Sequence, residues 1–183
     1  MKITVISSSV RPGRLSHRIS LALLELIAAK GHTAFCIDLK EENFPLFDGR
    51  LNELAEQPLA LLKCSETLSI SQGIIVVTPE YNGGIPAALK NLVDVLGKPE
   101  FAGKPMGVAS VSTGIMGGVR AAYQLQQIIL ALQAYPQPQM LLAAEVHKQI
   151  DANGTIVNPA FQQKMDTFLN SFLSFTEKIT HAV

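Results

Sequence analysis

Gly73-Ile74-Ile75-Val76-Val77-Thr78-Pro79-Glu80-Tyr81-Asn82-Gly83-Gly84-Ile85-Pro86 passes from an apolar run, through a polar and aromatic segment, into a helical pattern that starts at Pro86. A short continuous apolar run bounded by Gly reads as a strand buried on both faces, as in a parallel sheet. Pro79 fixes its own φ and pushes Thr78 toward extended geometry, which ends the strand. Pro86 suits the first position of a helix, where its missing N–H has no partner to lose. The segment between them therefore lies at the carboxyl end of a strand and the amino end of a helix, where open α/β sheets bind ligands. Gly83 and Gly84 permit backbone conformations and close approaches that side chains forbid. Turns of this composition also occur simply because turns need Gly, Asn and Pro. A binding site requires further loops of the same kind on the same edge.

Working outward, the same alternation recurs. Ile3 to Ile6 reads as a first strand. A loop, Ser7-Ser8-Ser9-Val10-Arg11-Pro12-Gly13-Arg14-Leu15-Ser16, leads into a helix from about Ser16 that stops at Gly31. His32 to Leu39 reads as a second strand, and Lys40 to Gln57 as a charged loop whose Asn43-Phe44-Pro45-Leu46-Phe47 segment anchors it to the body or serves a partner. Pro58 to Ile70 is a short helix before the Gly73 to Val77 strand. Beyond Pro86 an apolar stripe of Leu89, Leu92, Val93 and Leu96 ends at Gly97 and Pro99. Pro105 to Val111 is the fourth strand, Val119 to Ala134 a helix, Met140 to Val146 the fifth strand, and Asn158 to Thr180 the final helix. Strands alternating with helices predict a parallel sheet covered on both faces. With five strands and no G-x-G-x-x-G, the expected fold class is α/β, a flavodoxin-like three-layer sandwich with a five-stranded parallel sheet of order 2-1-3-4-5.

Composition narrows the function. A chain of 183 residues at 48% hydrophobic buries one sizeable core, so residues 1–183 are expected to form a single domain. Basic and acidic residues balance at 15 each, which removes the cationic excess of a nucleic-acid binder. Cys36 and Cys64 sit in no C-x-x-C pair and near no His at metal-ligand spacing, so both are expected to be buried thiols, with no metal site. The amino terminus lacks a signal-like apolar region and no run is long enough to span a bilayer, so a soluble, cytoplasmic protein without membrane contact is expected.

Three polar or Gly-rich loops, after strands one, three and four, fall on one sheet edge. The first suits a phosphate: Ser7, Ser8, Ser9 and Ser16 offer hydroxyls, Arg11, Arg14 and Arg18 offer charge, and the next helix presents unpaired N–H groups. Arg donates two parallel bonds to a phosphate from its planar fork. No G-x-x-x-x-G-K-[ST] occurs, which argues against a P-loop nucleotidase. Ser16 is alternatively only a helix cap, with the arginines solvated. His17 reads as exposed first-turn surface. In the second loop Glu80-Tyr81-Asn82 offer backbone groups and an aromatic edge to a flat heterocycle. Glu80 has no partner carboxylate or His beside it in sequence, which disfavours general acid–base work. In the third, Ser112 and Gly114 to Gly118 leave room for a ring near another helix amino end.

Three segments carry a family resemblance that covers the chain to about residue 146: Ser9-Val10-Arg11-Pro12-Gly13-Arg14-Leu15-Ser16; Pro79-Glu80-Tyr81-Asn82 with Ile85-Pro86 and Leu89-Lys90-Asn91; and Ser112-Thr113-Gly114 with Gly117-Gly118. Together they resemble the NADPH-dependent FMN reductase family of flavodoxin-like proteins, which includes azoreductase, quinone reductase and chromate reductase members. The resemblance implies FMN, its phosphate on Ser9, Arg11, Ser16, Arg14 and Arg18, and its ring edge on Pro79, Glu80, Tyr81 and Asn82. Ser112, Gly114 and Gly117 would border the flavin and a nicotinamide pocket. It further implies NADPH or NADH as co-substrate, a ping-pong cycle to a small-molecule electron acceptor such as a quinone, an azo compound or free flavin, and a homodimer or homotetramer. Arg14 or Arg18 is equally suited to the 2′-phosphate of NADPH. Where the family usually has Gly-Ser, this chain has Ser8-Ser9, and a Cβ at Ser8 is expected to narrow the phosphate approach. The same fold also serves electron carriers, redox sensors and flavin-free interaction modules. Neutral charge disfavours a carrier that docks electrostatically.

Overall fold

The computed structural model describes residues 1–42 and 44–181; Asn43, within the charged loop, lies outside the described residues. The elements run β1 (Lys2–Ser7), α1 (Leu15–Ala29), β2 (Thr33–Asp38), α2 (Leu59–Ser69), β3 (Gly73–Pro79), α3 (Ala87–Leu96), α4 (Lys98–Phe101), β4 (Pro105–Val111), α5 (Val119–Ala131), β5 (Tyr135–Pro136), β6 (Leu141–Ala143) and α6 (Pro159–His181). The sheet order is β2-β1-β3-β4-β5, all parallel, with β6 also pairing β4. This is the flavodoxin-like order.

Alternation along the central strands divides the core. Ile74 and Val76 of β3 join Ile6, Met106 and Val108 in one apolar cluster under α2, α3 and α5. Ile75 and Val77 join Ile3, Val5, Ala109 and Val111 in a second cluster under α1 and α6. Both faces of the sheet are thus covered, and the ligand edge remains where β1, β3 and β4 end. Packing against α6 is tight at the start of β3. A Cβ on Gly73 would lie 2.9 Å from Phe172 Cζ and 2.9 Å from Thr176 Oγ1, both on fully buried side chains. Gly73→Ala is therefore expected to destabilise the fold by about 1–3 kcal/mol through overpacking. A urea midpoint equal to that of the parent protein would refute this packing account.

Two expectations, the single fifth strand and the burial of Cys36, are corrected. The fifth strand is not one run over Met140 to Val146. The β4 edge is shared by two short strands, β5 against Pro105–Met106 and β6 against Ala109–Val111. Glu145 in the left-handed region, φ 45°, turns the chain off the sheet before Val146. Beyond Gly97 the chain adds α4, which buries Phe101 in the first cluster. Cys36 is exposed on edge strand β2, whereas Cys64 is buried. The charged loop docks through Asn91, which donates to the Pro45 carbonyl at 2.8 Å and accepts from the Phe47 N–H at 2.8 Å.

Candidate active site

The phosphate-suited loop ends at Arg14, which occupies the N-cap of α1 without a side-chain capping bond, and the first turn of α1 carries no acidic residue. Its leading N–H groups and positive dipole end are left for an anion. Ser16 does not cap the helix. It stands inside the first turn, 3% exposed, with its Oγ unpartnered. A buried hydroxyl without a partner costs free energy unless a ligand satisfies it. Ser16 lines a cavity of about 360 Å³ together with Ser9, Arg11, Arg14, Leu15, Pro79, Glu80, Tyr81, Val111, Ser112, Thr113 and Val146. That volume is within the range of small-molecule sites. The three loops expected to converge do so here.

The second loop is built around an Asn-Gly turn. Tyr81 and Gly84 exchange N–H···O bonds of 2.9 and 3.0 Å, and Asn82 (φ 51°) and Gly83 (φ 81°) both lie at positive φ, the requirement of a two-residue type I′ turn. This signal was legible in the Asn82-Gly83 dipeptide, and it changes one expectation. The Tyr81 N–H is used within the turn and is not free for a heterocycle, while its carbonyl keeps one lone pair. The Tyr81 hydroxyl meets Ser9 Oγ at 2.6 Å, and the Arg11 guanidinium lies 5.6 Å from the Tyr81 ring centroid, tying the first loop to the second. Glu80 spans to the third loop. Its carboxylate accepts from the Arg120 backbone N–H at 3.1 Å and from Arg120 Nη1 at 3.0 Å, capping α5 from outside.

The third loop is latched to the segment after β6. Ser112 N–H donates to the Ala143 carbonyl and Val146 N–H to the Ser112 carbonyl, each at 3.1 Å, which carries Val146 onto the cavity wall. Sequence reading missed Val146 because it lay inside the expected fifth strand. Ser110 Oγ donates to the Gly117 carbonyl at 2.6 Å from beneath.

Several anticipated residues lie elsewhere. Arg18 donates to the Asp151 carbonyl at 2.9 Å and is not on the cavity wall; nor are Asn82, Gly114 and Gly117. Ser8 is fully buried and does not line the cavity. Arg14 lines the cavity, but its guanidinium pairs with both oxygens of Asp38 and donates to the Ser9 carbonyl at 2.9 Å. His17 is half-buried rather than exposed, with Nδ1 3.0 Å from Ser7 Oγ.

Burial, reinforced by the Arg14 charge, lowers the His17 pKa below the ordinary histidine value of 6.5. The unfolded chain therefore binds more protons than the folded one between the two values. The corresponding stability is present above 6.5 and is lost as pH falls through the lower folded value. His17→Gln is expected to reduce this acid sensitivity. An NMR titration placing the His17 ring above 6.5 in the folded protein would remove its basis.

The family model for NADPH-dependent FMN reductase matches residues 1–148, which includes all three loops. The chain belongs to the NADPH-dependent FMN reductase family. As a member it is an oxidoreductase that uses FMN with NAD(P)H as co-substrate. Among relatives of the family, a quinone reductase of Escherichia coli is 24% identical over 98% of this chain and 97% of its own. An NADPH azoreductase of a Bacillus species is 30% identical over 67% of each. The solved structure of the flavoenzyme FerB, an NAD(P)H:acceptor oxidoreductase of Paracoccus denitrificans, superposes with a TM-score of 0.83 at 22% identity, covering 97% of both chains. The residues present fit the family's cofactor. The orphaned Ser16 hydroxyl, the uncapped first turn of α1 and Arg11 are a donor set that would suit a phosphate, and Leu15, Pro79, Val111 and Val146 give the cavity an apolar wall that would suit a ring.

Proposed function

We propose that this chain is an NAD(P)H-dependent reductase that holds FMN in the 360 Å³ cavity and passes two electrons to a small acceptor of the quinone, azo or free-flavin class. The observation that carries the reading is the buried, unpartnered Ser16 hydroxyl on that cavity at the uncapped start of α1. When bound, FMN supplies the hydride chemistry. The chain binds and orients it. Ser16, the leading N–H groups of α1, Arg11 and Ser9 hold the phosphate, with Arg14 at the loop's end. Pro79, Glu80 and Tyr81 would lie along the ring edge, and Ser112 and Thr113 of the third loop would border the ring and the nicotinamide. Arg18, bonded to the Asp151 carbonyl, is not on the cavity wall.

Glu80 works as a strut between the second and third loops, and the acceptor's protons come from water. Family membership favours turnover over an electron carrier or sensor. No helix among the described residues is long and apolar enough to cross a membrane. The reading adds a cytoplasmic location, where the reductant is held. Tyr123 and Leu130, 61% and 62% exposed on α5, support a homodimer or homotetramer, checked by sedimentation velocity.

The purified protein is expected to bind FMN with a shifted visible spectrum and to oxidise NADPH or NADH when a quinone is added. A bound flavin that neither nucleotide reduces would leave the carrier reading in its place. No flavin complex under any condition would overturn the cofactor site.

A further inference from the structure

Resting on that cofactor reading, we propose that Asp38, the last residue of β2, is a positioning residue for the phosphate loop: it acts through Arg14, which is thereby removed from direct phosphate recognition. Asp38 is set on the rigid edge of the sheet, in register with Ser7 of β1, and the next residue, Leu39, donates its N–H to the Ser7 carbonyl at 3.0 Å. From that anchor both carboxylate oxygens take the two terminal nitrogens of Arg14. The pair is largely withdrawn from water, with side chains 9% and 15% exposed. One of those nitrogens also donates to the Ser9 carbonyl at 2.9 Å. Arg14 thus closes the loop on itself, tying its last residue to the carbonyl of Ser9, while Val10, Arg11, Pro12 and Gly13 between them are exposed.

A guanidinium recognises phosphate by offering two parallel N–H donors. Here that fork is spent on a carboxylate, and its charge is balanced. The cationic group left for the phosphate on this loop is Arg11. Asp38 shapes the loop by fixing the residue at the N-cap of α1, whose first N–H groups face the same anion.

The two possible roles of Arg14 predict opposite signs, which makes the assignment testable with FMN and riboflavin as probes. The two differ in the phosphate alone, so their affinity ratio reports the phosphate site and not global stability. Asp38→Ala is expected to weaken FMN binding about 10- to 100-fold by letting the loop move, with riboflavin affinity little changed. If Arg14 is instead a latent phosphate ligand restrained by Asp38, the same variant binds FMN more tightly. An unchanged or increased FMN-to-riboflavin ratio would overturn the assignment. Should Asp38→Ala fail to fold because Arg14 is left unpaired, Asp38→Asn retains one acceptor for it and is expected to lower the ratio in the same direction. Wild-type protein that binds FMN no better than riboflavin would overturn the phosphate site and this assignment together. Discrimination that is present in wild type and survives in the Asp38 variants overturns the assignment alone.

Discussion

Replacing Ser16 by alanine is expected to raise the Kd for FMN about 10- to 150-fold while leaving the cofactor-free protein as stable as before or slightly more so. The two halves have separate causes. In the cofactor-free chain Ser16 Oγ is buried without a partner, so removing it deletes an uncompensated polar group. Alanine is also the better helix former, and Ser16 lies inside α1. With FMN present, the hydroxyl would donate to a charged phosphate oxygen, an interaction of about 1.5–3 kcal/mol. Flavin titration and thermal melts of the cofactor-free protein read the two effects independently. A variant that keeps full FMN affinity would show that Ser16 does not touch the phosphate. One that unfolds without FMN would show that the hydroxyl has a structural partner.

Much of the architecture was legible because the physics that forms it is local. Parallel strands buried on both faces must be apolar runs, and β1, β3 and β4 are. The loops on one edge were likewise readable as strand ends marked by Pro, Gly and hydroxyl residues. The fifth strand was not. A two-residue strand such as Tyr135–Pro136 has no periodicity to detect, and the departure after Ala143 depends on Glu145 adopting a left-handed conformation that its residue type does not announce.

In the site, residue types were legible and their commitments were not. Arg11, Arg14 and Arg18 look interchangeable in sequence. In the fold one lies over Tyr81, one is taken by Asp38, and one reaches the Asp151 carbonyl 133 positions away. Each destination is set by a partner brought near by topology, which no local pattern encodes. Ser16 shows the same limit in reverse: a serine at a helix start reads as a cap, and what sets this one apart is that its unpartnered hydroxyl belongs to a residue on the cavity wall.

The glycines of the third loop separate function from strain, and two substitutions there are expected to differ sharply. Gly117 has φ +60°, and a Cβ on it would lie 3.0 Å from the carbonyl carbon of Leu142 and 3.2 Å from the backbone nitrogen of Ala144. Those atoms belong to the β6 edge and the turn after it, so they cannot rotate away as a side-chain tip can. Gly117→Val adds about 1–2 kcal/mol for a left-handed L-residue and about 1–3 kcal/mol for overpacking. The expected loss is about 2–5 kcal/mol, a large share of a typical domain's 5–15. It would also displace the carbonyl that accepts from Ser110 Oγ, and with it the loop that carries Ser112 to the cavity. Gly114 is exposed, is free of positive φ, and would place its Cβ no nearer than 3.8 Å to Ser112 Oγ. Gly114→Ala is therefore expected to stay within about 0.5 kcal/mol of the parent, as surface substitutions away from such features usually do. Denaturant unfolding of both variants decides the matter. Equal losses would mean that the loop resists side chains throughout, and that the close approach of Gly117 to the turn after β6 is not what orders it.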